Sequence, residues 1–392
     1  MEDRWDVLVV GGGPAGAIAS YLLKQRYSRR VLLLEKETFP RLKPCAGGIA
    51  PRTELLLREL DLWSRIEPHR YLITSAELLT PNGTSINLRG EATASVMHRP
   101  LFDNILLDIA KDAGVHVLEG VKADSFIYAE GNRGGGRKPV AQTVAAEAAR
   151  NVAGLRCGDD SYYADIIVIA NGATTTFRTR DPRKEHITSC TAWFKHCSFT
   201  PGRIQMVFPP ELSPHYGWLF PESDDRCNIG FCIKNNNLRG RKVSSGKVTD
   251  LYPLILDRYF REVIKGAEMV IPPKVFPMFP SRDIGTGALP GTVLVGDAAR
   301  CINSYTGEGI SYAVESGMIA AECIADFFYE GRSWEELDRT YVARIKRELG
   351  PGLRGGRFLS TFSPVLLRSF GLFSRIPVIG RLIPRMMTKM KA

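Results

Sequence analysis

The chain has 392 residues, of which 44% are hydrophobic and 24% charged, and its formal net charge is +10. This length allows two domains, or one large domain with an insertion, and the composition is that of a soluble globular protein. The sequence contains no apolar run of the roughly 18 residues that a membrane span needs, no signal-peptide pattern and no zinc-ligand spacing among its eight cysteines. We therefore expect a cytoplasmic protein with reduced cysteines and no metal site, as a monomer or small homo-oligomer.

The first elements form a βαβ unit. Trp5–Val10 and residues 31–34 are apolar runs typical of buried parallel strands, and a helical stretch lies between them. The loop after the first strand contains GxGxxG and reads Gly11-Gly12-Gly13-Pro14-Ala15-Gly16. In such a loop the first glycine allows a tight turn, the second lets the backbone approach a pyrophosphate, and the third lets the helix pack on the strand.

An acidic residue completes this unit. Glu35 ends the second strand, 19 residues after Gly16, where it can accept hydrogen bonds from a ribose diol. The helix N-terminus presents free N–H groups to phosphates. A lone GxGxxG is weak evidence, but strand, glycines, helix, strand and acid in this order indicate a dinucleotide site. We assign to it Gly11, Gly13, Pro14, Gly16, Glu35 and Lys36.

A cysteine segment and an aromatic strand follow along the chain. Residues 39–49 read Phe-Pro-Arg-Leu-Lys-Pro-Cys-Ala-Gly-Gly-Ile, which puts Cys45 just after the nucleotide unit. Within the alternating strand-like segments of residues 185–280, the two-residue spacing of Tyr216, Trp218 and Phe220 places them on one face of a strand. They are either a wall for a long apolar ligand or sheet core, and base rates alone favour the core.

Other segments are simpler. Pro100 at a first helical turn predicts a helix after His98 and Arg99. Residues 115–118 and 163–170 read as strands, and residues 134–136 and 234–247 as polar loops.

A second strand, loop and helix start lies near the C-terminal end. The strand that begins at Gly291 runs into Gly296 and Asp297, and Thr306-Gly307-Glu308-Gly309-Ile310 opens a long helix. The carboxylate can bind a ribityl hydroxyl, and the helix start can stabilise negative charge on a reduced flavin ring. Taken with the first fingerprint, this pattern resembles the paired signature of the large flavoprotein superfamily that includes para-hydroxybenzoate hydroxylase. That resemblance implies FAD.

The C-terminal tail is basic and apolar. After Glu348 there are no acidic residues but eight positive charges, and Pro364, Pro377 and Pro384 predict breaks between short amphipathic helices. The tail either lies on an anionic membrane surface, on the inner face of the membrane, or packs as a helical cap on the body. Phenylalanines among bulky aliphatics fit acyl chains better than nucleic acid, which we exclude as a partner.

Several separated motifs together resemble the geranylgeranyl reductase family. They are the KPCAGG cysteine segment, the YxWxFP strand with Asn-Ile-Gly after it, and the GD and GEGI motifs. The resemblance covers about residues 5–350. It carries contacts with FAD onto Ala15, Glu35, Cys45, Ala46, Gly48, Arg99, Ala123, Asp297, Gly309 and Ile310, to which we add Gly307. It also implies that Tyr216, Trp218 and Phe220 line a prenyl tunnel and that Cys45 acts in catalysis.

The family resemblance implies a mixed α/β fold with a Rossmann-like FAD-binding domain, an inserted antiparallel-sheet substrate domain and a C-terminal helical segment. We expect the FAD domain at 1–70, 97–180 and 281–345, the substrate domain at 71–96 and 181–280, and the last segment at 346–392. The implied activity is saturation of C=C bonds in a geranylgeranyl or other polyprenyl chain on a diphosphate, lipid, quinone or chlorophyll-type substrate. An external reductant, NAD(P)H, ferredoxin or another carrier, would supply electrons.

Two matters stay open in the sequence. Cys45 could donate a proton during alkene reduction, or it could be a small residue that shapes the flavin face. Flavin-dependent halogenases and aromatic monooxygenases share the nucleotide unit and the GD motif. Halogenases read WxWxIP where this chain reads YxWxFP, which favours the reductase.

Overall fold

A computed structural model describes residues 4–129, 151–179, 186–234 and 248–373. The loops expected at 134–136 and, apart from Lys234, at 234–247 lie outside the described residues, as does the tail beyond residue 373. In the described part the strands are β1 Trp5–Val10, β2 Val31–Glu35, β3 Gly48–Ile49, β4 Tyr71–Leu79, β5 Ser85–Val96, β6 His116–Glu119, β7 Ser125–Tyr128, β8 Val152–Cys157, β9 Asp160–Ile169, β10 Ile187–Lys195, β11 Arg203–Val207, β12 Gly217–Pro221, β13 Arg226–Lys234, β14 Glu268–Met278 and β15 Thr292–Leu294. The helices of the same ranges are α1 Pro14–Gln25, α2 Pro51–Glu59, α3 Trp63–Ile66, α4 Arg99–Asp112, α5 Tyr252–Tyr259, α6 Arg261–Ile264, α7 Ile310–Glu330, α8 Trp334–Glu348 and α9 Gly350–Phe373.

The first sheet carries the βαβ unit at its centre. Its order is β6-β2-β1-β9-β8-β7, with β15 also paired to β9. Strands β6, β2, β1, β9 and β15 are parallel, and β7 and β8 form an antiparallel wing. Every residue of β2 is buried, which is why the strand reads as a continuous apolar run up to Glu35. Helices α1, α4 and α7 pack against one another or against this sheet.

The second sheet has the order β14-β10-β13-β12-β11-β4-β5-β3. Most neighbours are antiparallel, as the sequence predicts, but β4 and β11 run parallel. The pairing joins residues far apart in the chain, since Ser75 lies opposite Arg203. The short strand β3 pairs with β5 and so ties the cysteine segment to this sheet. The mixed α/β architecture is confirmed, whereas the domain boundaries given above stay a prediction.

The C-terminal helices cover the edge of the body. Helix α8 begins with a capping box in which Ser333 and Glu336 exchange hydrogen bonds. Helix α9 then runs through Pro364 to Phe373, so the break that we expected at Pro364 is wrong. A proline removes one helical hydrogen bond and costs about 3 kcal/mol. The preceding turns are fixed on the body, because Arg357 donates to the Ser281 carbonyl at 2.8 Å and Ser363 to the Pro214 carbonyl at 3.3 Å.

Candidate active site

A cavity of about 650 Å³ opens at the carboxyl ends of the parallel strands. This is the edge of an open α/β sheet where ligands bind, and the volume is in the usual range for a ligand site. The structure brings 13 of the 16 sequence-assigned cofactor residues into its lining. They are Gly11, Gly13, Pro14, Ala15, Glu35, Lys36, Cys45, Arg99, Ala123, Asp297, Gly307, Gly309 and Ile310. Gly16, Ala46 and Gly48 are not among the lining residues.

The glycine loop has the close approaches that its sequence predicts. Gly11 has a φ of 105°, and a Cβ on it would lie 2.6 Å from the Ala170 carbonyl oxygen. A Cβ on Gly16 would lie 1.9 Å from the Gly11 oxygen, so no larger residue fits between α1 and β1. A Cβ on Gly13 would meet only the Arg41 guanidinium, at 3.6 Å. No side chain caps the start of α1, so its first N–H groups can bind an anion.

Glu35 is fixed at the end of β2. Its side chain is 4% exposed, and its carboxylate accepts hydrogen bonds from the Gly12 N–H at 2.7 Å and the Glu37 N–H at 3.0 Å. Arg41 lies 4.0 Å from the same carboxylate. Two backbone donors hold the carboxylate in one orientation at the cavity edge. This is the geometry that a ribose diol requires.

A buried ion pair joins the nucleotide side to the cysteine segment. Arg99 donates two hydrogen bonds to the Asp103 carboxylate, at 2.7 and 2.9 Å, and Arg41 lies 3.4 Å from the same carboxylate. Burial alone lowers the pKa of Arg99, but Asp103 and the Cys45 thiol raise it above its ordinary value, so the guanidinium stays charged. Arg99 is therefore not a solvated surface residue but the cation beside the Cys45 thiol.

Cys45 lies between the cavity and the second sheet. Its sulfur accepts a hydrogen bond from the Gly47 N–H at 3.4 Å, and the thiol lines the cavity. Three residues later, a Cβ on Gly48 would lie 2.9 Å from the Phe220 ring. The aromatic strand thus packs directly on the cysteine segment, and only glycine at position 48 allows this contact.

The three aromatic residues lie in one cluster. Trp218 donates from its indole Nε1 to the Asn228 side-chain oxygen at 2.7 Å, and the Tyr216 hydroxyl donates to the Thr306 carbonyl. Phe220 packs against the same cluster, which also includes the cavity-lining residues Phe276, Met278 and Ile302 and the neighbouring Ala46. Burial above all, with smaller effects of Cys232, Tyr305 and Cys45, raises the pKa of Tyr216 well above its usual range. Its hydroxyl therefore stays neutral.

The second signature meets the cavity from the opposite side. Asp297 lies in a 3-10 turn, and a Cβ on Gly309 would lie 3.4 Å from its carboxylate. Helix α7 begins at the next residue, Ile310, with no side-chain cap. Lys43 from the cysteine segment lies 3.9 Å from the Asp297 carboxylate. The aspartate and the helix start are thus neighbours, as the loop sequence predicts.

The sequence motifs assign no role to two cations at this site. Arg41 lies over the glycine loop, and Lys43 contacts the Asp297 side of the cavity. Both belong to the segment already singled out for Cys45, so their spacing in that loop is the signal that could have found them. Which groups the two side chains contact depends on the conformation of this loop, and a loop has no sequence periodicity from which its conformation could be predicted.

The buried histidines make poor proton donors. Burial first, and the nearby Arg226 second, lower the pKa of His98 to about 4. Burial and Lys234 lower the pKa of His215 to about 4 as well. Neither imidazole is in the charged, acidic imidazolium form at neutral pH, so Cys45 stays the proton donor that the sequence suggests at the cavity.

The residues present fit an FAD molecule. The cavity offers a carboxylate for a ribose, an uncapped helix start and Arg41 for a pyrophosphate, and Asp297 for a ribityl chain. The FAD binding domain model matches residues 4–146. The chain therefore carries an FAD-binding domain, and the prediction of an FAD-dependent oxidoreductase is confirmed. The prediction of FAD is confirmed, while the individual contacts assigned to it stay predictions.

Relatives support the resemblance found in the sequence. Menaquinone reductase of Mycobacterium tuberculosis is 29% identical over 95% of this chain and 90% of its own length. Digeranylgeranylglycerophospholipid reductase 1 of Methanopyrus kandleri is 27% identical over 93% of this chain and 92% of its own length. The predicted resemblance to geranylgeranyl reductases is thereby confirmed.

Solved structures show the same fold. A geranylgeranyl bacteriochlorophyll reductase-like protein from Thermoplasma acidophilum gives a TM-score of 0.75 at 22% identity, over 94% of this chain and 90% of that one. A flavin-dependent brominase gives a TM-score of 0.74 at 19% identity, over 98% and 93%. At these identities the likeness establishes the fold alone, and the fold does not distinguish a reductase from a halogenase.

Proposed function

We propose that this flavoprotein saturates C=C bonds of a polyprenyl chain carried by a lipid or quinone. One observation carries the proposal: Cys45 lies where the cofactor cavity meets the aromatic cluster of Tyr216, Trp218 and Phe220. A long apolar substrate that follows the cluster would present an alkene beside that thiol. The names of the two relatives favour a prenylated lipid or quinone over a free diphosphate.

Alkene reduction requires that the substrate be aligned with the flavin and that a proton donor be shielded from water. An isolated alkene has no carbonyl to polarise, so hydride transfer to one carbon must be coupled to proton delivery to the other. Reduced FAD supplies the hydride. The Cys45 thiol supplies the proton, and the Gly47 N–H and the Arg99 guanidinium stabilise the sulfur anion that remains. Arg99 is held charged by Asp103, so this stabilisation requires no rearrangement.

The decisive experiment uses anaerobic, dithionite-reduced enzyme. It is mixed separately with a menaquinone, a digeranylgeranyl glycerophospholipid and geranylgeranyl diphosphate, and products are analysed by mass spectrometry. We expect a gain of about 2 Da per reduced bond, two hydrogen atoms, with the lipid or, after air has reoxidised the quinol ring that dithionite forms, with the quinone. No mass gain with any of them would remove the reductase proposal. Oxygen-dependent hydroxylation or halogenation of an aromatic compound would support the monooxygenase or halogenase alternative instead.

A matched pair of variants tests the role of Cys45. Cys45→Ala should retain FAD and slow alkene reduction by about 100-fold, a loss typical of a missing general acid. Cys190→Ala, which removes a thiol that is fully buried in the core of the second sheet, should leave turnover close to the wild-type value. Equal turnover of the wild type and Cys45→Ala would make Cys45 a packing residue. Anaerobic reduction of the bound flavin, compared among NADPH, NADH and reduced ferredoxin as donors, identifies the external reductant that we propose.

We also propose that α9 contacts the membrane that holds such a substrate. No helix among the described residues is both long and apolar enough to span a bilayer. One side of α9 packs closely on the body, since a Cβ on Gly352 would lie 2.6 Å from the Tyr312 hydroxyl. Its other side exposes Phe358 and Phe362, 59% and 47% accessible with ring centroids 4.6 Å apart. Exposed aromatic side chains beside a basic tail suit an anionic lipid surface.

Vesicle co-sedimentation tests this contact. Phe358→Ser with Phe362→Ser should weaken binding to phosphatidylserine-containing vesicles by roughly tenfold, because about 1.4 kcal/mol of apolar burial would be lost. Tyr329→Ser removes an exposed aromatic residue elsewhere and should bind like the wild type. If the double variant binds like the wild type, the exposed pair has no part in membrane contact.

A further inference from the structure

Two cysteines outside the cavity lie side by side on the second sheet. Strands β10 and β13 are antiparallel neighbours in which Phe194 lies opposite Cys227, and the regular register ends at Lys195 and Arg226. Cys197 follows just beyond that end, where its N–H donates to the Asp225 carbonyl at 3.0 Å. The hydrogen bonding between the two strands therefore continues beyond the regular register. At this point the β10 side has one residue more than the β13 side.

That additional residue is His196. It has a φ of 59°, a left-handed conformation that few residues other than glycine adopt. A bulge of one residue reverses the alternation of side chains along a strand. Without it, Cys197 would point away from the face that holds Phe194 and Cys227. With it, the Cys197 side chain packs on that face.

The two sulfurs are in direct contact. The Cys227 thiol donates a hydrogen bond to the Cys197 sulfur over 3.3 Å, so the sulfurs need to approach by only roughly 1 Å to form a disulfide. This hydrogen bond lowers the pKa of Cys197 below its ordinary value, although burial and Asp225 oppose the effect. The same hydrogen bond, followed by burial, raises the pKa of Cys227. Cys197 is partly exposed, whereas Cys227 is buried.

We propose that Cys197 and Cys227 form a peroxide-reactive dithiol that closes to an intramolecular disulfide. The Cys197 thiolate attacks hydrogen peroxide, so that the O–O bond breaks and a sulfenic acid and hydroxide form. The Cys227 thiol then attacks the sulfenic sulfur, the S–S bond forms, and water leaves with the thiol proton. Two thiols are oxidised and one peroxide is reduced to two waters. A small-molecule dithiol reverses the reaction by exchange.

The remaining thiols lack this combination, and Cys301 and Cys323 are buried with raised pKa values. Burial raises the pKa of Cys190 and Cys232 to about 12, and burial with nearby carboxylates raises that of Cys157 to about 11. Cys45 lines the cavity and has no second cysteine sulfur bonded to it among the described residues. Among the described residues, this pair combines a partly exposed thiol of lowered pKa with a buried thiol in contact with it.

Peptide mapping of the full-length, FAD-loaded protein tests the proposal. After treatment with a small excess of hydrogen peroxide and alkylation, trypsin should release residues 196–203 linked to residues 227–234, lighter by about 2 Da than the two peptides together. The link should form in the wild type and be reversed by dithiothreitol. Because the second peptide also contains Cys232, Cys232→Ser is the matched control and should still form the link.

Two further variants separate the roles. Cys197→Ser should lose the link and leave Cys227 reduced, and Cys227→Ser should lose the link and accumulate a dimedone-reactive sulfenic acid at Cys197. Wild-type protein whose two thiols both stay alkylatable while Cys45 is oxidised would overturn the proposal. So would a link that persists in Cys227→Ser and vanishes in Cys232→Ser. The wild-type measurement needs no variant, so a folding defect in one of them leaves the test intact.

Discussion

The nucleotide side and the aromatic side of the cavity are built in different ways. On the nucleotide side, a contiguous loop of six residues sets the geometry, and its glycines leave no free space at Gly11 or Gly16. On the aromatic side, β12, β3 and the start of α7 come from three distant parts of the chain and meet through Phe220, Gly48 and Thr306. A local motif fixes the first side, while the second depends on packing between elements. The two sides should therefore respond differently to substitution and to acid.

The largest effect should follow a methyl group added at Gly16. In Gly16→Ala the new Cβ would lie 1.9 Å from the Gly11 oxygen, which forces α1 away from β1. We expect a loss of about 3 kcal/mol or more in the free energy of unfolding of the apoprotein, with little bound flavin. Urea unfolding and the flavin-to-protein absorbance ratio measure both effects.

Gly13→Ala is the matched control three residues earlier. Its Cβ would meet only the far end of the Arg41 side chain, at 3.6 Å, and its φ of −70° suits any residue. Urea unfolding of this apoprotein should resemble the wild type. Equal destabilisation by the two substitutions would show that the loop tolerates or rejects side chains for reasons other than these close approaches.

The same contrast explains how much the sequence predicts. Gly16 and Glu35 lie where their motif places them because Gly16 contacts Gly11 and Glu35 contacts Gly12 within one βαβ unit. Asp297 lies beside Gly309, which belongs to the same strand, loop and helix start. The ion pair of Arg99 with Asp103 joins residues one helical turn apart, yet its contact with Cys45 crosses between elements. No local sequence pattern predicts the contact between Arg99 and Cys45.

Long-range packing also explains what the sequence missed. Helix α9 continues through Pro364 because contacts of Arg357 and Ser363 with the body fix its axis, and proline alone predicts a break. The sequence left two alternatives for the C-terminal segment, a cap on the body or contact with a membrane. The two sides of α9 differ in this respect, because one side packs on the body as a cap and the other exposes Phe358. The pairing of Cys197 with Cys227 depends on a bulge, which strand periodicity does not reveal.

Acid should loosen the aromatic side first. His215, next to Tyr216, is 2% exposed, and its pKa in the folded protein is about 4, below the unfolded value of 6.5. The unfolded chain therefore binds a proton that the folded chain excludes between these pH values. Stability that is complete above pH 6.5 should fall with decreasing pH, by about 1 kcal/mol per pH unit, until pH 4.

Urea unfolding from pH 7 to pH 4 measures this slope. His215→Gln removes one of two such groups, because the pKa of His98 is also about 4, and should reduce the slope by about half. His69→Gln, at an exposed position, should leave the slope unchanged. Intrinsic tryptophan fluorescence should report the loss of the Trp218 environment before flavin is released. A wild-type slope that persists in His215→Gln would assign the acid sensitivity to other groups.

The smallest effect should come from trimming the aromatic wall itself. Phe220 packs on Gly48 and on the cluster that faces the cavity, but it does not line the nucleotide site. Phe220→Leu removes part of the ring contact while keeping an apolar side chain, so FAD affinity should match the wild type. We expect KM for a polyprenyl substrate to rise by roughly threefold to tenfold, about 1 kcal/mol, with kcat nearly unchanged.

Phe358→Leu, on the exposed face of α9, is the control for losing a phenylalanine away from the aromatic cluster. It should not change KM for a detergent-solubilised substrate. A fall in FAD affinity with unchanged KM would place Phe220 on the nucleotide side and remove the distinction between the two sides of the cavity.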